Sequence, residues 1–228
     1  MLFRSVSKIF LVLLAIVKFF YRSKAVKEFD DRQEYEKYLR DRLDWNLVRN
    51  YKATVVFDYL YGVGAGIPER VLKGSKQKLY SIHSAPDSLF GGLHPEPIES
   101  QLGDLMKEVL QRKAVVGIAL DGDADRLGIV DDRGHYLTPH QIFPLLVLHC
   151  VEHKGWKGKI VQAVSLGYLS ERIARHFNLP FEEVPVGFKH VAERMLQKDF
   201  LAGGEESGGY AVRRTARARR NPQRSPIS

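Results

Sequence analysis

The sequence is poor in cysteine: Cys150 is the only one, so no disulfide can form within the chain. This excludes the small secreted folds that depend on disulfide frameworks and favours a reducing compartment, which we expect to be the cytoplasm. Leucine and valine residues surround Cys150 in the sequence, which predicts that Cys150 is a small hydrophobic residue of the core. No internal repeat interrupts the chain, which excludes repeat architectures.

Acidic residues are scarce at both ends of the chain. The formal net charge is +8, but residues 1–28 carry +5 and residues 213–228 carry +6, so residues 29–212 sum to −3. The body therefore lacks the basic face with interleaved aromatics that nucleic-acid binding requires, and no nucleic-acid partner is expected. The arginine-rich segment 213–228 cannot bury a core, which predicts a disordered basic tail.

Residues 1–28 form an apolar and basic leader of unusual composition. Its stretch 9–20 (IFLVLLAIVKFF) is interrupted by Lys18 and is shorter than the roughly 20 residues needed to cross a bilayer. No small-residue cleavage site follows it, as a secretory signal would require. Three interpretations remain: a weak membrane anchor, a helix normally covered by sequence that is missing here, or an artefact of where the gene begins.

Strands and helices alternate along residues 29–212, which predicts an α/β fold made of two consecutive units. The predicted helices cover Asp31–Val48, Ile67–Leu72, Ile98–Arg112, Pro139–Glu152, Tyr168–Phe177 and a segment ending near Gln197. The predicted strands cover Ala53–Asp58, Lys78–His83, Val115–Leu120, Leu127–Val130, Lys159–Val164, Phe181–Val184 and Phe200–Gly204. The apolar stripe of the first helix predicts core positions at Tyr35, Tyr38, Leu39, Leu43 and Leu47.

Three aspartates at alternate positions, Asp121, Asp123 and Asp125, follow directly after an apolar strand, and Arg126 comes next. Three neighbouring carboxylates repel one another unless a cation or solvent compensates them. One interpretation is a solvated acidic turn. The other is a site for a hard divalent cation, Mg²⁺ above all, with Arg126 as a donor to phosphate oxygens beside the metal.

An EF-hand calcium loop does not fit this segment. Arg126 stands where that loop requires its sharp-turn glycine, and Asp132 stands where it requires a bidentate glutamate. The flanking residues also have the pattern of strands rather than helices. The GVGAG segment at 62–66 is likewise only a weak dinucleotide motif, and we expect its glycines to serve a tight turn and close packing.

A second cluster of candidate residues follows the strand Phe200–Gly204. Glu205 and Ser207 lie between glycines there, which indicates either a flexible acidic turn or a loop that binds hydroxyl groups. Lys189, in the preceding segment VGFKH, would by itself be a surface lysine.

Five motifs in this order resemble the phosphohexomutases, the phosphoglucomutase and phosphomannomutase family. They are FDYLYGVGAG (57–66), GGLHPEP (91–97), DGDADR (121–126), VGFKH (186–190) and GGEESGG (203–209). The resemblance implies a domain II with the metal loop at 29–135 and a truncated domain III with the sugar-binding loop at 136–212, each with a mixed sheet. Within the family, GEESGG is more similar to the glucose-phosphate and dual-specificity members than to the amino-sugar members.

The resemblance also implies roles for individual residues. Asp121, Asp123 and Asp125 would bind Mg²⁺, and Arg126 would face the phosphate as a catalytic residue. Glu205 and Ser207 would bind the hydroxyls of a hexose phosphate, and Lys189 would lie near the substrate. The implied activity is that of an isomerase of carbohydrate metabolism, an intramolecular phosphotransferase between C1 and C6, with a glucose 1,6-bisphosphate-type activator.

The chain departs from the family pattern at both ends. Family members are about twice as long and have four domains, and neither their phosphoserine loop nor their C-terminal phosphate-binding loop is found in this sequence. Ser84 lies in a different pattern and is not a substitute. We therefore expect a fragment that does not turn over hexose phosphates alone. The alternatives are a non-catalytic protein that binds sugar phosphate and Mg²⁺, or one part of a split enzyme whose remainder is separately encoded.

Overall fold

The computed structural model describes Lys18 and residues 30–213. The chain divides into two compact units, Met1–Asp41 and Arg42–Ser228. The predicted leader, except for Lys18, and the predicted tail beyond Arg213 lie outside the described residues. No described helix is both long and apolar enough to cross a membrane.

The helix predicted over Asp31–Val48 is two helices. In the first unit, α1 covers Arg32–Arg40, and in the second unit α2 covers Trp45–Asn50. The side chain of Asp44 accepts a hydrogen bond from the Leu47 backbone N–H at 3.3 Å and so starts a new helix instead of continuing the first. The predicted burial of the apolar stripe is wrong, because Tyr35, Tyr38 and Leu47 are exposed.

The second unit contains two mixed sheets. In the first sheet the strands are β1 (Thr54–Asp58), β2 (Lys78–Ile82), β3 (Val116–Leu120), β4 (Leu127–Asp131) and β5 (Tyr136–Leu137), in the order β2-β1-β3-β4-β5. In the second sheet they are β6 (Lys159–Ala163), β7 (Phe181–Val184), β8 (Phe200–Gly204) and β9 (Tyr210–Val212), in the order β7-β6-β8-β9. Every predicted strand is found within one or two residues of its predicted ends.

Helices connect the parallel strands. They are α3 (Ile67–Val71), α4 (Gly103–Arg112), α5 (Pro139–Leu148), α6 (Leu169–His176) and α7 (Phe188–Met195). Short 3-10 turns cover Phe90–Gly92, Glu99–Gln101 and Val164–Leu166, and a π-helical turn, His149–His153, follows α5. The helices predicted to start at Ile98 and to end at Glu152 are therefore shorter than expected.

In each sheet, a glycine of an inner strand lies directly against a packed helix. A Cβ on Gly117 of β3 would lie 2.6 Å from Val109 of α4, and a Cβ on Gly204 of β8 would lie 2.5 Å from the Phe143 ring of α5. The glycines thus permit close packing of helix on sheet. Cys150 is buried in the core of the second sheet, as predicted.

The first four strands of the first sheet have the same topology as the second sheet, and this topology positions the candidate residues. In each sheet three strands run parallel, and the last of them continues through a short loop into an antiparallel neighbour. The first of these loops joins β3 to β4 and the second joins β8 to β9. The predicted metal-binding and sugar-binding residues therefore occupy equivalent hairpins of the two sheets.

Candidate functional site

The first hairpin contains what we call the aspartate loop, residues 121–126. Asp121 follows β3 directly, and Arg126 immediately precedes β4. Ala124 adopts a left-handed conformation with φ +64°, and its N–H donates to the Asp121 carbonyl at 3.1 Å. Ala124 therefore makes the sharp turn that brings the alternate aspartates to one side of the loop.

Asp121 is the buried centre of this loop, with only 1% of its surface exposed. Its Oδ1 accepts the backbone N–H groups of Asp125 at 2.9 Å and Arg126 at 3.1 Å, and its Oδ2 accepts Arg126 Nε at 2.7 Å. Burial raises the pKa of the Asp121 carboxyl, but the hydrogen bonds from Arg126 outweigh it, so the net shift is downward. Asp121 is therefore held as a carboxylate.

Asp123 and Asp125 are exposed, and one oxygen of each lies within 4.8 Å of the other and of an Asp121 oxygen. The pKa of Asp125 is raised, first by partial burial and then by the negative charges of Asp121 and Asp123. Oxygens on opposite sides of a Mg²⁺ ion lie roughly 4.2 Å apart, which is twice the usual Mg–O distance. The upper bound on the oxygen–oxygen distances is thus close to the width of a Mg²⁺ shell, and the two exposed side chains can adjust around a cation.

Arg126 is held by acidic residues from two loops. Beside its bond to Asp121, Arg126 Nη1 lies 3.5 Å from Glu96 Oε1, and Nε lies 4.0 Å from Asp125. The Arg126 side chain keeps 29% of its surface exposed, so its remaining N–H groups can still reach a ligand. The sequence analysis did not identify Glu96, although Glu96 lies in the GGLHPEP motif. Glu96 and Arg126 are 30 positions apart, and no local pattern indicates that two such residues form an ion pair.

The second hairpin contains what we call the glutamate loop, residues 205–209. Glu205 N–H donates to the Gly209 carbonyl at 3.1 Å, which closes the loop at the end of β8. Ser207 Oγ donates to Glu205 Oε1 in a short hydrogen bond. The neighbouring Glu206 accepts a similarly short bond from Ser165 Oγ and so fixes the loop to the 3-10 turn that follows β6.

The two loops meet through backbone atoms. Leu127 N–H, at the end of the aspartate loop, donates to the Gly208 carbonyl at 3.2 Å. Gly208 has φ +93°, and a Cβ there would lie 2.8 Å from the Leu127 carbonyl oxygen, so only glycine allows this approach. Two hairpins about 80 residues apart in the chain are thereby joined through their backbones.

A cleft of about 520 Å³ lies where the loops meet. Polar residues from both loops line it together with apolar residues of the second sheet and of α7: Asp123, Asp125, Arg126, Phe188, Met195, Glu205, Ser207, Gly209, Tyr210 and Ala211. The structure thus brings together five of the seven predicted site residues in one lining. Asp121 lies beneath them as the buried partner of Arg126.

Lys189 is the one predicted residue that neither lines the cleft nor contacts the aspartate cluster. Its side chain is exposed on the first turn of α7, while the preceding residue, Phe188, lines the cleft. The helix therefore places Lys189 next to the cleft, and its predicted contact with substrate stays a prediction.

A second groove, of about 480 Å³, lies between α5 and α6. Its lining is mainly apolar, with Pro144, Leu145, Leu148, Leu169 and Phe177 among its residues. None of the candidate residues reaches it. We assign the chemistry to the cleft between the loops, because that cleft combines carboxylates, a guanidinium and a hydroxyl.

Comparison with protein families gives two matches in consecutive parts of the chain. Residues 33–134 match the family description "Phosphoglucomutase/phosphomannomutase, alpha/beta/alpha domain II", and residues 138–220 match domain III of the same family. A phosphoglucomutase/phosphomannomutase of Thermococcus kodakarensis is 29% identical over 81% of this chain and 40% of its own length. A phosphoglucosamine mutase of Renibacterium salmoninarum is 34% identical over 68% of this chain and 34% of its own length.

Solved structures agree with this assignment. The crystal structure of a phosphomannomutase-type protein from Thermus thermophilus is 32% identical, with a TM-score of 0.77 over 81% of this chain and 43% of that chain. A structure of Aspergillus fumigatus N-acetylphosphoglucosamine mutase shares the fold, with a TM-score of 0.57 over 78% of this chain and 40% of that chain at 17% identity. The chain spans about 40% of the length of the curated relatives it matches. It belongs to the phosphoglucomutase/phosphomannomutase family and comprises two consecutive α/β domains of the phosphohexomutase type.

Proposed function

We propose that this chain binds a hexose phosphate together with Mg²⁺ in the cleft between the aspartate and glutamate loops. The observation that carries the proposal is the backbone hydrogen bond from Leu127 to Gly208, which joins the two loops. Carboxylates that suit a hard cation and side chains that suit sugar hydroxyls therefore face one cleft. The Aspergillus relative was solved in complex with GlcNAc-6P and magnesium, which supports this pairing of ligands.

Asp121, Asp123 and Asp125 are the proposed metal ligands. Oδ1 of Asp121 already accepts two backbone N–H groups, but Oδ2 accepts only Arg126 Nε and has a second lone pair for a cation. Bound Mg²⁺ would offset charge on the oxygens of a phosphoryl group. Arg126, fixed through its Nε by Asp121, would aim its remaining N–H groups at the same oxygens.

Glu205 and Ser207 are the proposed hydroxyl-binding pair. Ser207 Oγ donates its proton to Glu205 Oε1, so the serine oxygen can only accept a further hydrogen bond, while Glu205 Oε2 is a second acceptor. Acceptors held in fixed positions select an arrangement of sugar hydroxyls, and Lys189 would add a donor from the edge of the cleft. Phe188 and Tyr210 give the cleft an apolar side against which a sugar ring can pack.

The proposed reaction is that of the family, phosphoryl transfer between C1 and C6 of a hexose phosphate through a glucose 1,6-bisphosphate-type species. The names of the relatives cover glucose, mannose and glucosamine phosphates, and we propose a glucose-type or mannose-type substrate from the GEESGG motif. No residue of this sequence matches the phosphorylated serine that the reaction requires, so we propose that turnover depends on a polypeptide that supplies it. The unpaired Cys150 supports a cytoplasmic location.

The substitution Asp123→Ala tests the metal assignment. It removes one exposed ligand and relieves carboxylate repulsion, so we expect the Kd for Mg²⁺, titrated calorimetrically with glucose 1,6-bisphosphate present, to rise at least about tenfold. The free energy of unfolding should stay within about 0.5 kcal/mol of the parent value. Asp132→Ala, which removes an exposed carboxylate from the next turn, is the matched control. Equal Mg²⁺ binding by Asp123→Ala and the parent would refute the assignment.

A further inference from the structure

The segment that follows β1 lies directly against the aspartate loop. We call residues 59–64 the support loop. Val63 N–H donates to the Gly122 carbonyl at 3.0 Å, and a Cβ on Gly62 would lie 2.7 Å from the carbonyl oxygens of both Asp121 and Gly122. A Cβ on Gly64 would lie 3.0 Å from Cβ of Ala124. The backbone of the aspartate loop therefore rests on the support loop.

The support loop has an unfavourable backbone conformation. Leu60 has φ +43° and Tyr61 has φ +61°, so two consecutive residues with large side chains are left-handed. Such residues persist only where the surrounding structure fixes them, and they concentrate at functional sites. A specific set of contacts must therefore hold this loop.

Asp58 and His83 provide those contacts. Asp58 is fully buried at the end of β1, and its Oδ1 accepts the Leu60 N–H at 2.9 Å and lies 2.9 Å from His83 Nδ1. His83, at the end of β2, accepts the Tyr61 N–H on its carbonyl at 2.8 Å, and the two rings lie 4.9 Å apart. Both left-handed residues are thus held by this pair. His83 Nε2 faces the exposed Asp104 at 3.8 Å.

The side chains of this pair take no part in the backbone pairing of the strands. Parallel pairing of β1 with β2 and β3 is made by backbone atoms, and the neighbouring strand positions are filled by apolar side chains. A carboxylate buried at the strand end costs stability unless its hydrogen bonds offset the desolvation. Its position indicates a role in fixing the loop beyond the strand.

We propose that Asp58 and His83 are positioning residues: they hold the support loop in its left-handed conformation and thereby fix the aspartate loop for cation binding. This inference rests on the proposed function, because the site that these two residues would support is the proposed metal site. It predicts that the affinity for metal depends on two residues that do not contact the metal ligands themselves.

The test measures the Kd for Mn²⁺ from the electron paramagnetic resonance signal of the free ion, because Mn²⁺ shares the preference of Mg²⁺ for carboxylate oxygens. Asp58→Ala and His83→Ala should raise this Kd roughly tenfold, as the loss of outer-shell support typically does. Asp58→Asn keeps an acceptor oxygen. His83 itself has φ +47°, and His83→Asn keeps a donor and tolerates this conformation, so both variants should stay within about twofold of the parent.

Two further substitutions separate positioning from general destabilisation. Gly62→Ala presses directly on the aspartate loop and should also raise the Kd, whereas Gly103→Ala, where a Cβ meets nothing within 4 Å, should not. Ser170→Ala removes a buried hydrogen bond to Gln162 in the second sheet and should lower the melting temperature without changing the Kd.

The outcomes distinguish the inference from the function on which it rests. If the parent binds Mn²⁺ and the alanine variants at 58 and 83 bind it equally well, the positioning role is wrong and the metal site stands. If Gly62→Ala also binds like the parent, the support loop has no influence on the site. If the parent itself does not bind Mn²⁺, the proposed function and the inference fall together.

Discussion

Asp121→Ala is expected to abolish Mg²⁺ binding and to lower the free energy of unfolding by about 3 kcal/mol, because it leaves two partly buried backbone N–H groups and the Arg126 charge without their acceptor. Asp121 is 1% exposed and accepts three hydrogen bonds, two from backbone N–H groups and one from Arg126 Nε. The loss of stability is at the low end for a broken buried pair, because the partly exposed Arg126 side chain can turn towards solvent. Urea unfolding and a Mg²⁺ titration measure the two effects.

Asp123→Ala is the natural comparison for this experiment. Both substitutions remove a proposed ligand, but only Asp121 holds the loop together, so only Asp121→Ala should lose stability. If the free energy of unfolding of Asp121→Ala stayed within about 0.5 kcal/mol of the parent, the hydrogen-bond network described for Asp121 would not be what holds this loop.

Gly208→Ala should separate the two loops. Its Cβ would lie 2.8 Å from the Leu127 carbonyl oxygen at φ +93°, so the backbone must move and the Leu127–Gly208 hydrogen bond must lengthen. We expect the Kd for glucose 1,6-bisphosphate, measured by calorimetry, to rise at least about tenfold, because its two groups of contacts no longer face each other. The free energy of unfolding should fall by about 2 kcal/mol from strain and steric clash.

Gly74→Ala is the matched control for Gly208→Ala. Gly74 has φ +88°, and a Cβ there meets nothing within 4 Å, so this substitution carries the backbone strain without the clash. It should lose stability and keep its affinity for glucose 1,6-bisphosphate. Binding by Gly208→Ala at the affinity of the parent would mean that contact between the loops is not required for the site.

Most of the architecture of the second unit could be predicted from the sequence. Short β-branched runs bounded by glycine or charge define β1, β3 and β6, and the ends of these strands were found close to their predicted positions. The same patterns placed the aspartates at a strand end, which is why the cluster was predicted before its geometry was known. Local sequence suffices where local backbone preference and burial agree.

Helical periodicity predicted the structure of Asp31–Val48 less accurately. An apolar stripe over Asp31–Val48 has helical spacing, yet one helix ends at Arg40 and another begins at Trp45, and Tyr35 and Leu47 are exposed. Periodicity shows that one face of a helix is apolar. It does not show that a partner covers that face within the same unit, nor that a capping residue such as Asp44 will interrupt the helix.

The contacts that assemble the site could not be predicted from the sequence. They join distant positions, and the residue types at those positions do not indicate the contact. Leu127 and Gly208 meet through backbone atoms, which no residue type specifies. Asp58 and His83 are 25 positions apart and lie at the ends of neighbouring strands. The glycines at 62 and 64 were expected to serve close packing, and this is confirmed, but the sequence could not tell that they pack against the aspartate loop.

Coupling between metal and sugar phosphate tests the central claim most directly. If both loops form one site, Mg²⁺ and glucose 1,6-bisphosphate must each strengthen binding of the other by the same factor. We therefore propose a calorimetric titration of the parent chain with glucose 1,6-bisphosphate, once at saturating Mg²⁺ and once in EDTA. A Kd that is lower by roughly tenfold or more with Mg²⁺ is the predicted result. The same Kd in both conditions would contradict a single site shared by the aspartate and glutamate loops.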